Sequence, residues 1–215
     1  MRNIVISPGE YYHIFNRGVN KLLIFSDDQD YRRFLFLILY FQSGVVFRNI
    51  GRLSYLLPDT VQHSVLHTEK VIEGRTVELV GFCLMPNHFH LIVKEGREGG
   101  IASYMQRVLN AYTKYINEKH KKSGHLFQGP YKAVHVGDNQ QLLHLSAYIH
   151  RNPREMEKNK DFENYRWSSC QDYIGANRFE GLLVPEIVTG QFSLQSEYQE
   201  FVLTSPAKLL ENEIE

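Results

Sequence analysis

Residues 76–94, TVELVGFCLMPNHFHLIVK, carry two strand-length runs rich in apolar and β-branched residues, separated only by Met85-Pro86-Asn87. So short a connection predicts an antiparallel hairpin. The flanking sequence supplies its partners. Glu10–Arg17 (EYYHIFNR) reads as a strand closed by Gly18. Ser26 or Asp27 is placed to cap a helix whose apolar residues run from Tyr31 to Phe41, with Gly44 ending it. After a loop at Glu95–Gly100, helical spacing of Met105, Val108, Leu109, Tyr112 and Ile116 predicts a helix from Ile101 to His120. Tyr131–Val136 reads as a further strand. Asp138 then caps a helix that runs to about Arg151 and is stopped by Asn152-Pro153. The order β-α-β-β-α-β-α predicts an α+β protein. Its first six elements form a ferredoxin-like split βαβ unit with an antiparallel sheet, and the last helix is an addition.

Residues 45–75 show no clear periodicity, and the stretch near 43–75 is expected to be an insertion or irregular excursion. The expected division is a catalytic domain at 1–153 and a C-terminal extension at 154–215 packed on or near it. Of 215 residues, 43% are hydrophobic and 22% charged, which excludes a disordered or fibrous chain. No apolar run approaches the ~20 residues of a membrane span, and no N-terminal apolar stretch suits a signal peptide. Two cysteines, Cys83 and Cys170, cannot build a disulfide framework. A cytoplasmic protein, nucleoid-associated if it binds DNA, is the expectation. Overall, 24 basic residues balance 24 acidic ones, but residues 154–215 hold 6 basic and 12 acidic residues, net −6, which leaves +6 on the body. A basic body is compatible with a polyanionic ligand, although solvated surface charge explains most such imbalances.

Two short motifs can carry chemistry. In His88-Phe89-His90, residues two apart on a strand share a face, so both imidazoles project together while Phe89, Leu91 and Val93 point into the core. Two imidazoles on one face can chelate a metal ion. The plainer reading is a pair of partly exposed polar residues. In Tyr148-Ile149-His150-Arg151-Asn152-Pro153, Tyr148 and Asn152 lie four apart on one helix face. They border the apolar stripe of Leu142, Leu145 and Ile149. Tyr148 can offer a phenol oxygen, and Asn152 a carbonyl oxygen, to one point in space. The plainer reading is a boundary tyrosine and an Asn that ends a helix.

The two motifs together resemble the HUH endonuclease superfamily. HIFNRG, GFCLMPNHFHLIV, GHLFQGPYKAVHV, LSAYIHRNP and YRWSSCQDYIG are similar, in that order, to the REP-associated tyrosine transposases, which belong with the single-tyrosine transposases of the IS200 type. The resemblance runs from about Tyr11 to Gly175, apart from the stretch near 43–75. It implies that His88 and His90 are metal ligands, that Asn152 completes the metal site, and that Tyr148 is the nucleophile. It also implies cleavage of single-stranded DNA near hairpins (REP-like or element ends), a 5′-phosphotyrosine intermediate and a free 3′-OH. The implied metal is Mg²⁺ or Mn²⁺, although imidazole ligands alone suggest zinc. Relatives work as homodimers or monomers.

Tyr112 and Tyr115 compete with Tyr148 for the nucleophile's role, but Tyr112 falls in the core spacing and Tyr115 is four before Lys119, which is no oxygen ligand. Lys114, Lys119, Lys121, Lys122 and Lys132 are candidate phosphate contacts. They read equally as a solvated helix end favoured by the macrodipole. His120, His125 and His135 could add contacts, and Phe127, Tyr131 and Trp167 could stack on bases. Trp167 more naturally pins the extension to the body. His63 and His67 could bind metal if helical. The alternatives to a DNA endonuclease and strand transferase are a domesticated, non-cleaving binder of structured single-stranded nucleic acid, and a small zinc protein.

Overall fold

The computed structural model describes residues 4–50, 52, 68–156 and 161–206. Strands β1 (Tyr11–Arg17), β2 (Val77–Met85), β3 (His88–Glu95) and β4 (Lys132–Val136) form one antiparallel sheet in the order β2-β3-β1-β4. With helix α1 (Asp28–Tyr40) between β1 and β2, and α3 (Gly100–His120) between β3 and β4, this is the split βαβ arrangement. The addition is helix α4 (Asn139–Arg151). Asp27 and Asp138 cap α1 and α4 by accepting the backbone N–H groups of Asp30 and Gln141. Helix α1 ends at Tyr40, with Phe41 as its cap, short of the expected stop at Gly44.

Both faces of the sheet are covered. Tyr12, Ile14, Phe89, Leu91 and Val93 pack under α1 and α3 with Phe34, Leu35, Met105 and Tyr112. The opposite face, with Val80, Cys83, Met85 and Ile92, packs against Leu142, Leu145 and Ile149 of α4. Strand β2 changes phase at an irregularity between Leu79 and Gly81, so Val77 and Leu79 share the first core with Phe82 and Leu84. Burial on two faces explains why its sequence is nearly all apolar.

Helix α2 (Thr68–Glu73) occupies part of the stretch expected to be irregular, and an isolated bridge between Ser43 and Arg75 draws the ends of that excursion together. His63 and His67 lie outside the described residues. The C-terminal part contributes to both cores. Trp167 stacks on Tyr31 with ring centroids 4.8 Å apart, pinning the extension as expected, and Phe179, Leu182 and Leu183 join the first core. Helices α5 (Cys170–Ile174), α6 (Glu186–Thr189) and α7 (Gln195–Thr204) join the second through Tyr173, Val188, Tyr198 and Val202. A buried polar chain ties them to α4. His150 bonds Tyr198 Oη through Nδ1 at 2.7 Å and Ser169 Oγ through Nε2 at 2.8 Å, and Tyr198 donates to Ser146 at 3.0 Å. No helix among the described residues is long and apolar enough to cross a membrane.

Candidate active site

The end of β3 nearest the hairpin turn is held by backbone. Gly18 N–H donates to Asn87 O at 2.8 Å, and the Ile24 and Phe25 N–H groups donate to Pro86 O at 2.9 and 3.0 Å. A Cβ on Gly18 would lie 2.1 Å from Leu22 O, so only glycine permits this turn. The clamp fixes the point at which β3 begins, and so the height of His88.

Strand alternation then sets the faces. Phe89, Leu91 and Val93 enter the core under α1 and α3, and His88 and His90 share the face that α4 covers, their rings 5.0 Å apart. His88 is half-buried, but His90 is only 4% exposed, so the two are not an exposed polar pair. Burial, with the neighbouring Arg17 charge, lowers the His88 pKa against the opposing effect of Asn152 Oδ1, which accepts from the charged ring. Burial and the adjacent His13 and His88 hold His90 well below the usual imidazole range. Both rings are therefore neutral near pH 7, the state in which imidazole offers a lone pair to a cation.

Asn152 caps α4 and is 3% exposed. Its Oδ1 lies 3.1 Å from His88 Nε2, and its buried Nδ2 has no hydrogen-bond partner among the described residues. The other His88 nitrogen, Nδ1, lies 2.7 Å from Asn87 Oδ1, and Asn87 Nδ2 donates to Lys21 O at 3.3 Å. Asn87 is thus oriented to accept from Nδ1–H, which leaves Nε2 of a neutral His88 as an acceptor facing a second acceptor. Two facing acceptors of this kind would hold a divalent cation together. Without a cation, a half-turn of the Asn152 amide lets Nδ2 donate instead. The residues therefore fit a divalent metal. Among the described residues no three His, Cys, Asp or Glu side chains converge on a metal position, so this donor set is imidazole and neutral amide.

Tyr148 is half-buried at the border of the second core, beside the buried stripe of Leu142, Leu145 and Ile149. Its ring stands edge-on to His90 at 5.7 Å and to His13 at 6.3 Å. One turn of α4 thus brings Tyr148 to His90 and Asn152 to His88. The competing tyrosines lie on α3, across the sheet. Tyr112 is fully buried and donates to Ile24 O at 2.6 Å, and Tyr115 donates to Asp30 Oδ1 at 2.9 Å.

His13 is the residue that sequence reasoning missed. It sits on the central strand β1 at 2% exposure, with Nε2 2.9 Å from His90 Nδ1 and its ring stacked on Phe15 at 4.7 Å. Burial lowers its pKa to about 3, so it is neutral. The available signal was parity. With Tyr12 and Ile14 in one core, His13 faces the other way, and the split βαβ order sets β1 beside β3.

The candidate DNA contacts divide. Lys132 pairs with Phe15 across β1 and β4, and its Nζ lies 5.6 Å from the Phe15 ring centre, on the histidine face. Arg17, directly opposite His88 in the sheet register, adds a second cation there. Lys119 instead bonds Asp27 and the fully buried Asp30 at 2.7 and 2.6 Å, which commits its charge to the fold. Lys114 lies 3.9 Å from Glu118 with both side chains exposed. Lys121 caps α3 in the left-handed region, and Lys122 is exposed just beyond it. Phe127 and Tyr131 are buried in the first core, contrary to the expectation that their rings stack on bases. His135 Nε2 lies 3.0 Å from a Glu10 carboxylate oxygen, and His120 and His125 are both exposed.

A family model described as IS200-like transposase matches residues 41–152, a span that contains His88, His90, Tyr148 and Asn152. A solved structure of a REP-associated tyrosine transposase bound to a REP hairpin is similar at 12% identity and a TM-score of 0.49, covering 81% of this chain and 84% of that one. No curated protein matches the chain.

Proposed function

Because this chain belongs to the IS200-like transposase family, we propose that it is a metal-dependent single-stranded DNA endonuclease and strand transferase acting beside hairpins, with Tyr148 as its nucleophile. The observation that carries the reading is the meeting of four side chains on one sheet face. His88 and His90 come from β3, Tyr148 from the last turn of α4 and Asn152 from its C-cap. The hairpin substrate follows from the sequence motifs that resemble the REP-associated transposases.

In the proposed reaction, Tyr148 Oη forms a bond to phosphorus as the P–O3′ bond breaks. The 5′-phosphate becomes esterified to the phenol. The departing 3′ oxygen gains a proton, and the phenol loses one, so the products are a phosphotyrosine and a free 3′-hydroxyl. A bound Mg²⁺ or Mn²⁺, held by His88, His90 and Asn152, would supply charge neutralisation at a non-bridging phosphate oxygen. Arg17 and Lys132 add positive charge on the same face, where they can hold the flanking backbone phosphates. The α4 turn fixes the Tyr148 ring against His90, which limits the rotation the nucleophile must lose on reaching the phosphate.

The test is incubation with Mn²⁺ and a single-stranded oligonucleotide carrying a hairpin and unpaired flanks, drawn from the DNA bordering the coding sequence, with the matched duplex as control. Cleavage of the first alone supports the reading. Tight binding to the hairpin without cleavage of any strand would mark a binding module instead.

A further inference from the structure

Nothing in the pair of motifs accounts for a third histidine buried at the same face. His13 comes from a different strand, reaches 2.9 Å from His90 and spends a polar side chain in an otherwise packed sheet. From this contact we infer that His13 is a positioning residue. It accepts the Nδ1–H of His90, and so keeps the lone pair of His90 on Nε2, where a divalent cation can use it. The inference rests on the proposed metal site and adds a residue that sets the tautomer of one of its ligands.

Two neutral imidazoles share one proton in a nitrogen-to-nitrogen hydrogen bond. If His90 donates from Nδ1, its Nε2 is an acceptor. If His13 donates from Nε2, then His90 Nδ1 is the acceptor, its proton sits on Nε2, and the ring offers that side no lone pair. Metal-ligating histidines are generally oriented by an acceptor at the other nitrogen. For His88 that acceptor is Asn87 Oδ1, itself held by Lys21 O. Among the described residues, His90 has no oxygen in that position. The atom found there is His13 Nε2.

Geometry also fixes the His13 ring. It stacks on Phe15 at 4.7 Å with an interplanar angle of 26°, and lies edge to edge with His90 in nearly the same plane, centroids 5.1 Å apart and 18° between the rings. Phe15 is the register partner of His90 on the neighbouring strand, so the three rings form a layer across β1 and β3. A ring held on that layer cannot swing away, and the acceptor stays in line with Nδ1. Tyr148 packs edge-on against both histidines. The same layer thus supports the ligand and borders the proposed nucleophile.

Two measurements on the full chain decide the matter. In metal-free wild type, long-range ¹H–¹⁵N correlation of the imidazoles should find His90 protonated at Nδ1, and a His90 protonated at Nε2 would overturn the inference. Mn²⁺ binding, followed by the electron paramagnetic resonance of free Mn²⁺, should weaken on the order of 10- to 100-fold in His13→Phe, which keeps a ring but has no acceptor. His13→Gln, whose amide oxygen can accept, should recover most of that loss. Wild-type affinity in His13→Phe would overturn the inference, and so would equal losses in both variants. Absence of Mn²⁺ uptake by wild type would count against the metal site itself, and the tautomer measurement would still decide what His13 does.

Discussion

His88 Nε2 and Asn152 Oδ1, 64 residues apart in sequence, face each other at 3.1 Å between the start of β3 and the end of α4. Both atoms are acceptors once Asn87 takes the Nδ1 proton of His88, so the pair is shaped for something positive between them. If Asn152 is a ligand, Asn152→Ala should raise the Mn²⁺ concentration for half-maximal cleavage roughly 10-fold while leaving the saturated rate within a few-fold, because water can replace one neutral oxygen. His88→Ala and His90→Ala should lose cleavage at all Mn²⁺ concentrations. A metal titration unchanged by Asn152→Ala would remove that residue from the site.

The lysines separate by what they touch. Lys132→Ala should weaken binding to single-stranded DNA and reduce the slope of log affinity against log salt by about 0.7, with little change in thermal stability. Lys119→Ala should do the reverse, costing about 1–3 kcal/mol of stability, since Asp30 is fully buried and loses its cation. Binding across a salt series and urea unfolding of both variants check this. A salt slope altered by Lys119→Ala and not by Lys132→Ala would contradict the assignment.

Stability should fall with acid through His150. Burial lowers its pKa from 6.5 to about 3 in the folded protein. Between those values the unfolded chain binds more protons than the folded one, so stability present above pH 6.5 is lost as pH falls towards 3. At pH 5 the loss reaches about 2 kcal/mol for this one group. Urea unfolding from pH 7.5 to 5 should show the decline, and His150→Gln, though less stable at pH 7.5, should show a flatter profile. An equally steep profile in His150→Gln would place the titration elsewhere, with His13 the next candidate because burial lowers it to about 3 as well.

How legible the molecule is in its sequence differs from part to part, for physical reasons. The hairpin, the caps at Asp27 and Asp138, and the stripe of Leu142, Leu145 and Ile149 depend on residues close in sequence, so periodicity and turn chemistry reveal them. The shared face of His88 and His90 follows from strand alternation alone. The burial of His90 and its bond to His13 depend on strand order, which only the assembled sheet supplies. The same holds for Lys119, whose neighbours in sequence do not announce Asp27 and Asp30. Phe127 and Tyr131 look like stacking platforms in a basic stretch, but the chain folds them under the sheet. The role of the C-terminal part, with Tyr198 reaching His150, is a tertiary contact across 48 residues with no local pattern to announce it.

The central claim is that Tyr148 becomes covalently joined to DNA, and the most direct test is the mass of the denatured protein after reaction with a hairpin-bearing single strand and Mn²⁺. A phenol ester survives denaturation, so the wild type should gain the mass of the downstream fragment, and the modified peptide should contain Tyr148. Tyr148→Phe removes only the hydroxyl, so it should keep its fold and its DNA binding and gain no mass, while Tyr112→Phe and Tyr115→Phe, if folded, still form the adduct. An adduct that persists in Tyr148→Phe, or a wild type that cleaves the strand and carries no DNA, would contradict the account.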